Sequence, residues 1–583
     1  MTFFFLNILL FFVFFSLANE DSAKYVFLFK KKENQIFLYN DTNLFLIHQY
    51  KQNFQNFYSY GGISFTPSVS LFIDDIREPF WTNSIDLYYL NVVNKYCRAY
   101  KPYTSIFFVT NFVKLYNEEY IKAIHSQNFL PNLNLYFEGM YNNQKNTVPL
   151  HETSSNYIYL SSNFDKSRIK AYSYFLRANF KVKEIGGVQN IADLFENNLP
   201  IQNSLIFLTN ASNYWATSKF FSEFTYILLN KDSSLNIIPV LRLEYDKRKK
   251  IYNDLPSDFY LNIFIDSTKT YDSLSFLKFN NSIGFIFSHK INLSLKFGHK
   301  YYSFFDNLKN FNGSSNYLNL SLINNLSSIT NFVFDFIYYL NGYYKKSYSL
   351  NILVSKKIFS KEFILTINNE IFPNDYFFQN LCVNNYCFQK NLGKKIINAI
   401  EVKVKNDSLD FNFNLFFKFF KNFAVLNGYP LPININLGTI GAYIERFYCF
   451  KNFKLYKKLL LQKSTNNIID VPLLCAFSSL YYENMLFKKS LKFQVGIDLS
   501  YFTSFYSPIY IPSLGYFAYE QIRKIGNYPL INLFFDFNVK RANIFFLIEH
   551  LNYRLINGEA SFLSFYPLQN RMLKFGVNWR FYN

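Results

Sequence analysis

Glu549 and His550 are neighbours in the sequence, and a carboxylate beside an imidazole is the pairing that moves protons in acid–base catalysis. On a strand, neighbouring side chains leave opposite faces, so these two cannot act together directly. One is read as facing inward and the other as lying at the lipid interface or near a turn. The other histidines, His48, His125, His151, His289 and His299, show no H-x3-H metal spacing, and GxSxG, HExxH, GxxxxGK[ST] and GxGxxG do not occur. The expectation is therefore no catalytic set, no metal site, no cofactor and no enzymatic activity. Cys382 and Cys387 in "CVNNYC" are close enough to join in an oxidising compartment, and a pair of free thiols is the alternative. Cys97, Cys449 and Cys475 make the count odd, which leaves at least one cysteine without an intramolecular partner.

The side chains with the clearest spacing are polar ones that recur every second residue. Lys492, Gln494, Asp498 and Ser500 alternate with Leu491, Phe493, Val495, Ile497 and Leu499. Asp536, Asn538 and Lys540 alternate with Ile531, Leu533, Phe535, Phe537 and Val539, with Phe534 as the exception. Lys574, Asn578 and Arg580 alternate with Leu573, Phe575, Val577, Trp579 and Phe581. A stripe of Phe411, Phe413, Leu415, Phe417 and Phe419 is broken on its polar side by Phe416. Period 2 is the mark of strands with one apolar and one polar face. A charge on a lipid face costs about 2–4 kcal/mol at the bilayer midplane, so these charges should point into a wet lumen, where they would set a selectivity field or solvate the wall.

Composition narrows what such strands can build. Of the 583 residues 50% are hydrophobic and 21% aromatic, yet mean hydropathy is −0.04. A bundle of membrane helices would need several runs of about 20 apolar residues, and none follows the N-terminus. Long alternating segments with aromatic stripes and no break between domains predict a transmembrane antiparallel β-barrel of roughly 16–22 strands, an even number. Short connections such as 540–543 are expected as tight turns, and 306–316 and 462–467 as loops at the opposite end. The formal charge of +20 accompanies abundant Lys, Asn, Ile, Phe and Tyr, as AT-rich coding produces, and no dense basic tract marks a nucleic-acid partner. Residues 1–18 read as a signal peptide, with an uncleaved anchor as the alternative. Residues 19–54 form a first strand, a periplasmic extension or a plug, and 55–583 the barrel.

Residues 507–552, with the IGNYP turn, a basic turn and an FF-x-x-EH strand, resemble the "putative porin" outer-membrane family of Bacteroidota. "KPYTSIFF", "IGGVQ", "LPIQNSLIFLTNAS" and the terminal "YPLQNRMLKFGVNWRF" fit the same resemblance. It implies an outer-membrane barrel acting as a channel in a Gram-negative cell, with outer-membrane lipids, barrel-assembly machinery and small hydrophilic solutes as partners. A homo-oligomer is compatible with it. The primary expectation is a porin for passive diffusion with a mild anion preference. The alternatives are a plugged or active transporter, an assembly factor, or a structural or adhesive surface barrel. Trp579, Phe581 and Tyr582 are read as the aromatic girdle and as the signal that assembly machinery reads in such families. Deleting residues 579–583 should therefore abolish membrane insertion. A truncated chain that still resists heat and detergent as a folded barrel would refute this.

Overall fold

The computed structural model describes residues 26–32, 35–40, 95–99 and 102–582, apart from 113–117, 146–149, 198, 230–235, 289–290, 326–329, 429–430 and 557. The expected signal peptide lies outside the described residues. Alternation becomes a wall of 22 antiparallel strands. They are β1 (Tyr103–Asn111), β2 (Glu118–Leu130), β3 (Leu133–Lys145), β4 (Glu152–Lys166), β5 (Ile169–Glu184), β6 (Ala211–Tyr226), β7 (Asn236–Asp254) and β8 (Thr270–Ser288). There follow β9 (Ile291–Phe305), β10 (Asn310–Asn325), β11 (Thr330–Tyr339), β12 (Tyr348–Ile358), β13 (Lys361–Pro373), β14 (Lys394–Asn406) and β15 (Phe411–Asn427). The last are β16 (Pro432–Phe450), β17 (Phe453–Ser464), β18 (Leu474–Leu486), β19 (Leu491–Phe502), β20 (Leu530–Val539), β21 (Ala542–Glu549) and β22 (Met572–Tyr582). Each pairs with the next, and β22 pairs with β1 from Lys574↔Asn111 to Tyr582↔Tyr103, which closes the cylinder. A closed wall leaves no unpaired edge in lipid.

The two ends differ. Two-residue turns at 131–132, 167–168, 359–360, 451–452 and 540–541 lie at one end. Connections of 185–210, 255–269, 374–393, 503–529 and 550–571 lie at the other. Outer-membrane barrels carry short turns on the periplasmic side and long loops outside, which orients the wall. Strands β7, β8 and β16 have 19 residues, more than the 9–11 that cross a bilayer, so the wall continues beyond the membrane.

The faces follow the alternation. Outward residues such as Ile158, Phe297, Leu415, Ile440 and Ile497 are exposed, as a lipid-facing band requires. Inward residues are buried, and not all are polar. Phe416 and Phe534, the two residues that interrupt polar lanes, are buried on the inner face. Each lies across a glycine of the next strand: a Cβ on Gly441 would come within 2.3 Å of the Phe416 ring, and one on Gly496 within 2.7 Å of Phe534. Missing side chains on one strand thus make room for rings on its neighbour.

Several sequence-based boundaries shift. The wall begins at Tyr103, not near residue 55, because β1 already closes on β22. Val26–Lys32, Gln35–Asn40 and Lys95–Ala99 form a separate three-stranded sheet, and Lys95–Ala99 comes close to β2, β3 and β4 without pairing with them. Residues 41–94 lie outside the described residues. Of 306–316 only 306–309 is a connection, and 310–316 belongs to β10; 462–464 likewise belongs to β17.

The closing seam is held from within. Lys574 on β22 is fully buried and lies 2.7 Å from Glu118 of β2 and 2.8 Å from Glu549 of β21. Ser105 on β1 donates to Asn578 Oδ1 on β22 (2.9 Å). Removing one member of a buried ion cluster leaves the others uncompensated and costs about 3–5 kcal/mol. Lys574→Met should therefore lower the temperature at which the folded barrel converts to its slow-migrating form in detergent gels. An unchanged conversion temperature would show that the seam does not depend on this cluster.

Candidate functional site

Among the described residues many polar groups converge in the interior, which is built by the inner lanes of the wall. Gln494, Asp498, Asp536, Lys574 and Arg580 are buried on the inner face. Lys492 also points inward, half-exposed and 3.1 Å from Glu483, while Ser500, Asn538 and Asn578 are partly exposed. Lys540 is displaced from this set. It stands in the turn after β20 with φ +51°, because the strand ends at Val539. Trp579 is exposed on the outer face and stacks on Phe581 at 5.0 Å. The Tyr582 backbone pairs with Tyr103. Glu549 joins the inner cluster, whereas His550 sits at a bend (φ +53°), where its ring meets the Tyr528 hydroxyl (2.8 Å) and the Gln569 carbonyl (2.6 Å). The two residues that looked like an acid–base pair therefore serve separate networks. Burial lowers His550 below its ordinary pKa and His151, in the β3–β4 connection, to about 4.

Tyrosines share the interior with the charges. Glu138 is fully buried and accepts from the hydroxyls of Tyr136 (2.5 Å) and Tyr157 (2.7 Å), with Lys122 at 2.7 Å. Among the described residues, buried Asp and Glu equal buried Lys and Arg in number. The surplus of positive charge is therefore carried by residues other than these.

The long loops do not stand away from the mouth. They fold over it and lock together. The 503–529 connection makes a hairpin, Ile509–Ile511 with Tyr516–Tyr519, turned at Pro512-Ser513-Leu514-Gly515. It springs from β19, yet its tip reaches β5, β6 and β7. The Tyr510 hydroxyl donates to Glu184 Oε1 (3.1 Å), Asn213 Nδ2 donates to the Pro512 carbonyl (2.8 Å), and Lys250 Nζ donates to the Ser513 carbonyl. Gly515 is required there: its φ is +72°, and a Cβ would meet Lys250 at 2.9 Å. The return strand pairs in parallel with the end of β15 (Leu426↔Ala518, Asn427↔Tyr519). Strands β6 and β15 are nine apart in a ring of 22, so the hairpin spans the lumen as a strap.

A second loop braces the strap. Cys382 and Cys387 form a disulfide that closes the hairpin Asn380–Cys382 with Cys387–Gln389. Its tip residue Asn384 is held on every side by the β7–β8 region. Asn384 Oδ1 accepts from the amides of Ile265 (3.1 Å) and Asp266 (2.8 Å). Its Nδ2 donates to the Asp266 carbonyl (2.9 Å) and Thr270 Oγ1 (2.8 Å), and its amide donates to Asp272 Oδ1 (2.8 Å). From the strap, the Tyr516 hydroxyl donates to Asp375 Oδ2 (3.0 Å) of this second loop, and the Tyr516 ring packs on Phe378 with centres 4.9 Å apart. The 550–571 loop joins through Ser564, whose amide donates to Ser507 Oγ (3.1 Å), and through Phe565, whose carbonyl accepts from Val188 (2.8 Å). Sequence reasoning found the cysteines and missed the strap. Its signals were Pro508, Pro512 and Gly515 in "SPIYIPSLGY", which mark turns but not where a turn docks.

A closed 22-stranded wall, lipid-facing outside and polar within, defines a transport barrel of the outer-membrane type. The chain belongs to the "Putative porin" family, which matches residues 23–583. No curated relative matches it. Among solved structures, the siderophore receptor PirA from Acinetobacter baumannii is similar at 11% identity with a TM-score of 0.57, over 82% of this chain and 80% of that one. The ferric-catecholate import receptor Fiu from E. coli K12, in its open form, is similar at 11% and 0.53, over 82% and 81%. FpvA of P. aeruginosa bound to pyoverdine is similar at 11% and 0.57, over 83% and 72%. At these identities the likeness is one of fold.

Burial pushes Asp375 up to about 7, well above the ordinary carboxylate range. The lid in place then binds a proton that an opened, solvated Asp375 releases. A raised carboxylate contributes stability below its unfolded pKa, and that stability is lost as pH rises to about 7. Amide exchange in Ile509–Ile511 and Tyr516–Tyr519, corrected for intrinsic rates, should thus report a lid that loosens between pH 4 and pH 7 and is level above. Asp375→Asn should make this slope shallower, the remainder coming from Glu184, which burial also raises and which accepts from Tyr510 of the strap. Equal slopes in both proteins would show that Asp375 does not govern the lid.

Proposed function

We propose that this protein is an outer-membrane channel for small hydrophilic solutes, with passage controlled by the interlocked loops. The observation that carries the reading is the strap anchored to Glu184, Asn213 and Lys250 on one wall and to Leu426 and Asn427 on the far side. A polar lumen supports transport of solutes that carry their own hydration, and a strap across it supports regulated rather than free diffusion. The chain is a transporter in this reading and has no catalytic role. Because the buried charges balance, and a partly exposed inward cation such as Lys492 is itself paired with Glu483, the mild anion preference is small.

A second reading is favoured by one observation, the approach of Lys95–Ala99 to β2, β3 and β4. In it, the segment before the wall plugs the passage of an active transporter. Planar-bilayer recordings separate the two. Replacing residues 509–519 by a short Gly-Ser linker should convert low, infrequent conductance into frequent steps if the strap is the gate. Deleting residues 19–99 should do so if the plug is. Steps in neither variant would sink the channel reading, and a cation-selective reversal potential in a salt gradient would sink only the anion preference.

A further inference from the structure

The outward face of three neighbouring strands, β5, β6 and β7, changes character along its length. Phe175, Phe220 and Tyr245 lie in one row of the sheet, each opposite the next. Toward the short turns the next outward row is Ser173, Ser222 and Leu243, the two serines hydrogen-bonded to each other (2.9 Å), and beyond it the outward residues are apolar, with Ala171 and Ile169 on β5, Phe224 on β6 and Leu241 on β7. An aromatic row at the border of an apolar band marks a membrane–water interface. Two residues further toward the long loops, Arg177 on β5, Ser218 on β6 and Lys247 on β7 share the next outward row. The row after that holds Asn179, Ala216 and Lys249, and the following one Lys181 and Tyr214.

These rows make a shallow trough. Its floor is the small pair Ser218 and Ala216, and its two sides are cations. Strands β5 and β7 are two interstrand spacings apart, about 10 Å, a width that Lys and Arg side chains from both sides can close around one phosphate group. Arg177 and Lys247 begin about 7 Å along the strand from the aromatic row, which is headgroup depth. The floor's upper end is polar: the Tyr214 hydroxyl donates to Asn179 Oδ1 (3.0 Å), and Asn179 Nδ2 donates to Asn156 Oδ1 (3.1 Å). The nearest outward acid, Glu152 on β4, is already paired with Lys183 (2.9 Å) and Lys145 (3.6 Å). On the other side the outward neighbours of Lys247 and Lys249 are Leu277 and Ser275, which carry no charge. Four cations therefore face the trough with no acid between them.

We propose that this face binds the phosphate-bearing headgroup of an anionic lipid of the outer leaflet, gripped between Arg177 and Lys181 on one side and Lys247 and Lys249 on the other. The acyl chains then lie along the apolar band below Phe175, Phe220 and Tyr245. Cations at the surface of a bilayer attract anionic headgroups, and the attraction adds with each one.

Native mass spectrometry of the full chain in a neutral detergent, with phosphatidylglycerol or phosphatidylcholine added, tests this. The wild type should retain phosphatidylglycerol in preference to phosphatidylcholine. The variant Arg177→Gln, Lys181→Gln, Lys247→Gln, Lys249→Gln should lose that preference, by about fivefold per cation removed at subsaturating lipid. A control with the same charge loss in the short turns (Lys451→Gln, Lys488→Gln, Lys489→Gln, Lys540→Gln) should keep it. The altered side chains lie on the outer face or in exposed turns, and heat-dependent gel migration verifies that both variants fold. Equal retention by the wild type and the trough variant overturns the proposal, as does equal loss in the control. Inorganic phosphate displacing the lipid at equal concentration would also overturn it, since the site would then take a soluble anion.

Discussion

In a bilayer core no water can satisfy a backbone amide, so each strand edge left open would cost several kcal/mol per unpaired group. The pairing of β22 with β1 is the contact that removes the last two edges. Much of the rest follows from it. The terminal strand must be a full member of the wall, so its apolar lane continues to Phe581 and its polar lane carries Lys574 and Arg580 inward. The two lanes do different work at the seam. Backbone rungs close the cylinder, and the Glu118–Lys574–Glu549 cluster fixes which rungs meet, since a slip of one residue would turn Lys574 toward lipid.

Closing 22 strands creates a second requirement. A barrel of eight strands is filled by its own side chains, but one of this size encloses more room than they can occupy. The chain meets this with backbone. The strap, the disulfide hairpin and the 550–571 loop bring their own carbonyls and amides into a region already rich in polar side chains, and groups such as the Pro512 and Ser513 carbonyls and the Asn384 amide find partners on the wall. This explains why the interior mixes Lys250, Asp272 and Glu184 with Tyr302, Phe304 and Tyr376. The charges anchor inserted backbone, and the rings pack the spaces between anchors.

Alternation made the wall legible from the sequence, because strand period and burial act on each residue locally. Leu491–Phe502 and Leu530–Val539 could be read nearly to their ends, and so could the inward direction of Gln494, Asp498, Asp536, Lys574 and Arg580. Lys540 misled because the polar lane runs unbroken into a turn, and only the positive φ separates them. Phe416 and Phe534 looked like faults in the pattern, when each fills space left by a glycine on the neighbouring strand, a match between residues 25 and 38 positions apart (416 to 441, 496 to 534). The strap was not legible for the same reason at greater range. Nothing local to Ser513 records that its carbonyl will meet Lys250, 263 residues away.

The charge of the chain can now be placed. Its +20 is in keeping with a mild anion preference, but a buried cation without a nearby counter-charge is costly, and among the described residues the buried acids and bases are equal in number. A surplus of this size is tolerated only where solvent or mobile counter-ions screen it. The short turns, with Lys451, Lys488, Lys489, Lys540 and Arg541, are one such place, and the outward rows above Phe175 and Tyr245 are another. Basic residues thus stand at both ends of the wall, where it leaves the bilayer. In the proposed reading, a barrel charged this way would meet its membrane through its rims and its solutes through a passage whose buried charges balance, so the two interactions could be altered independently.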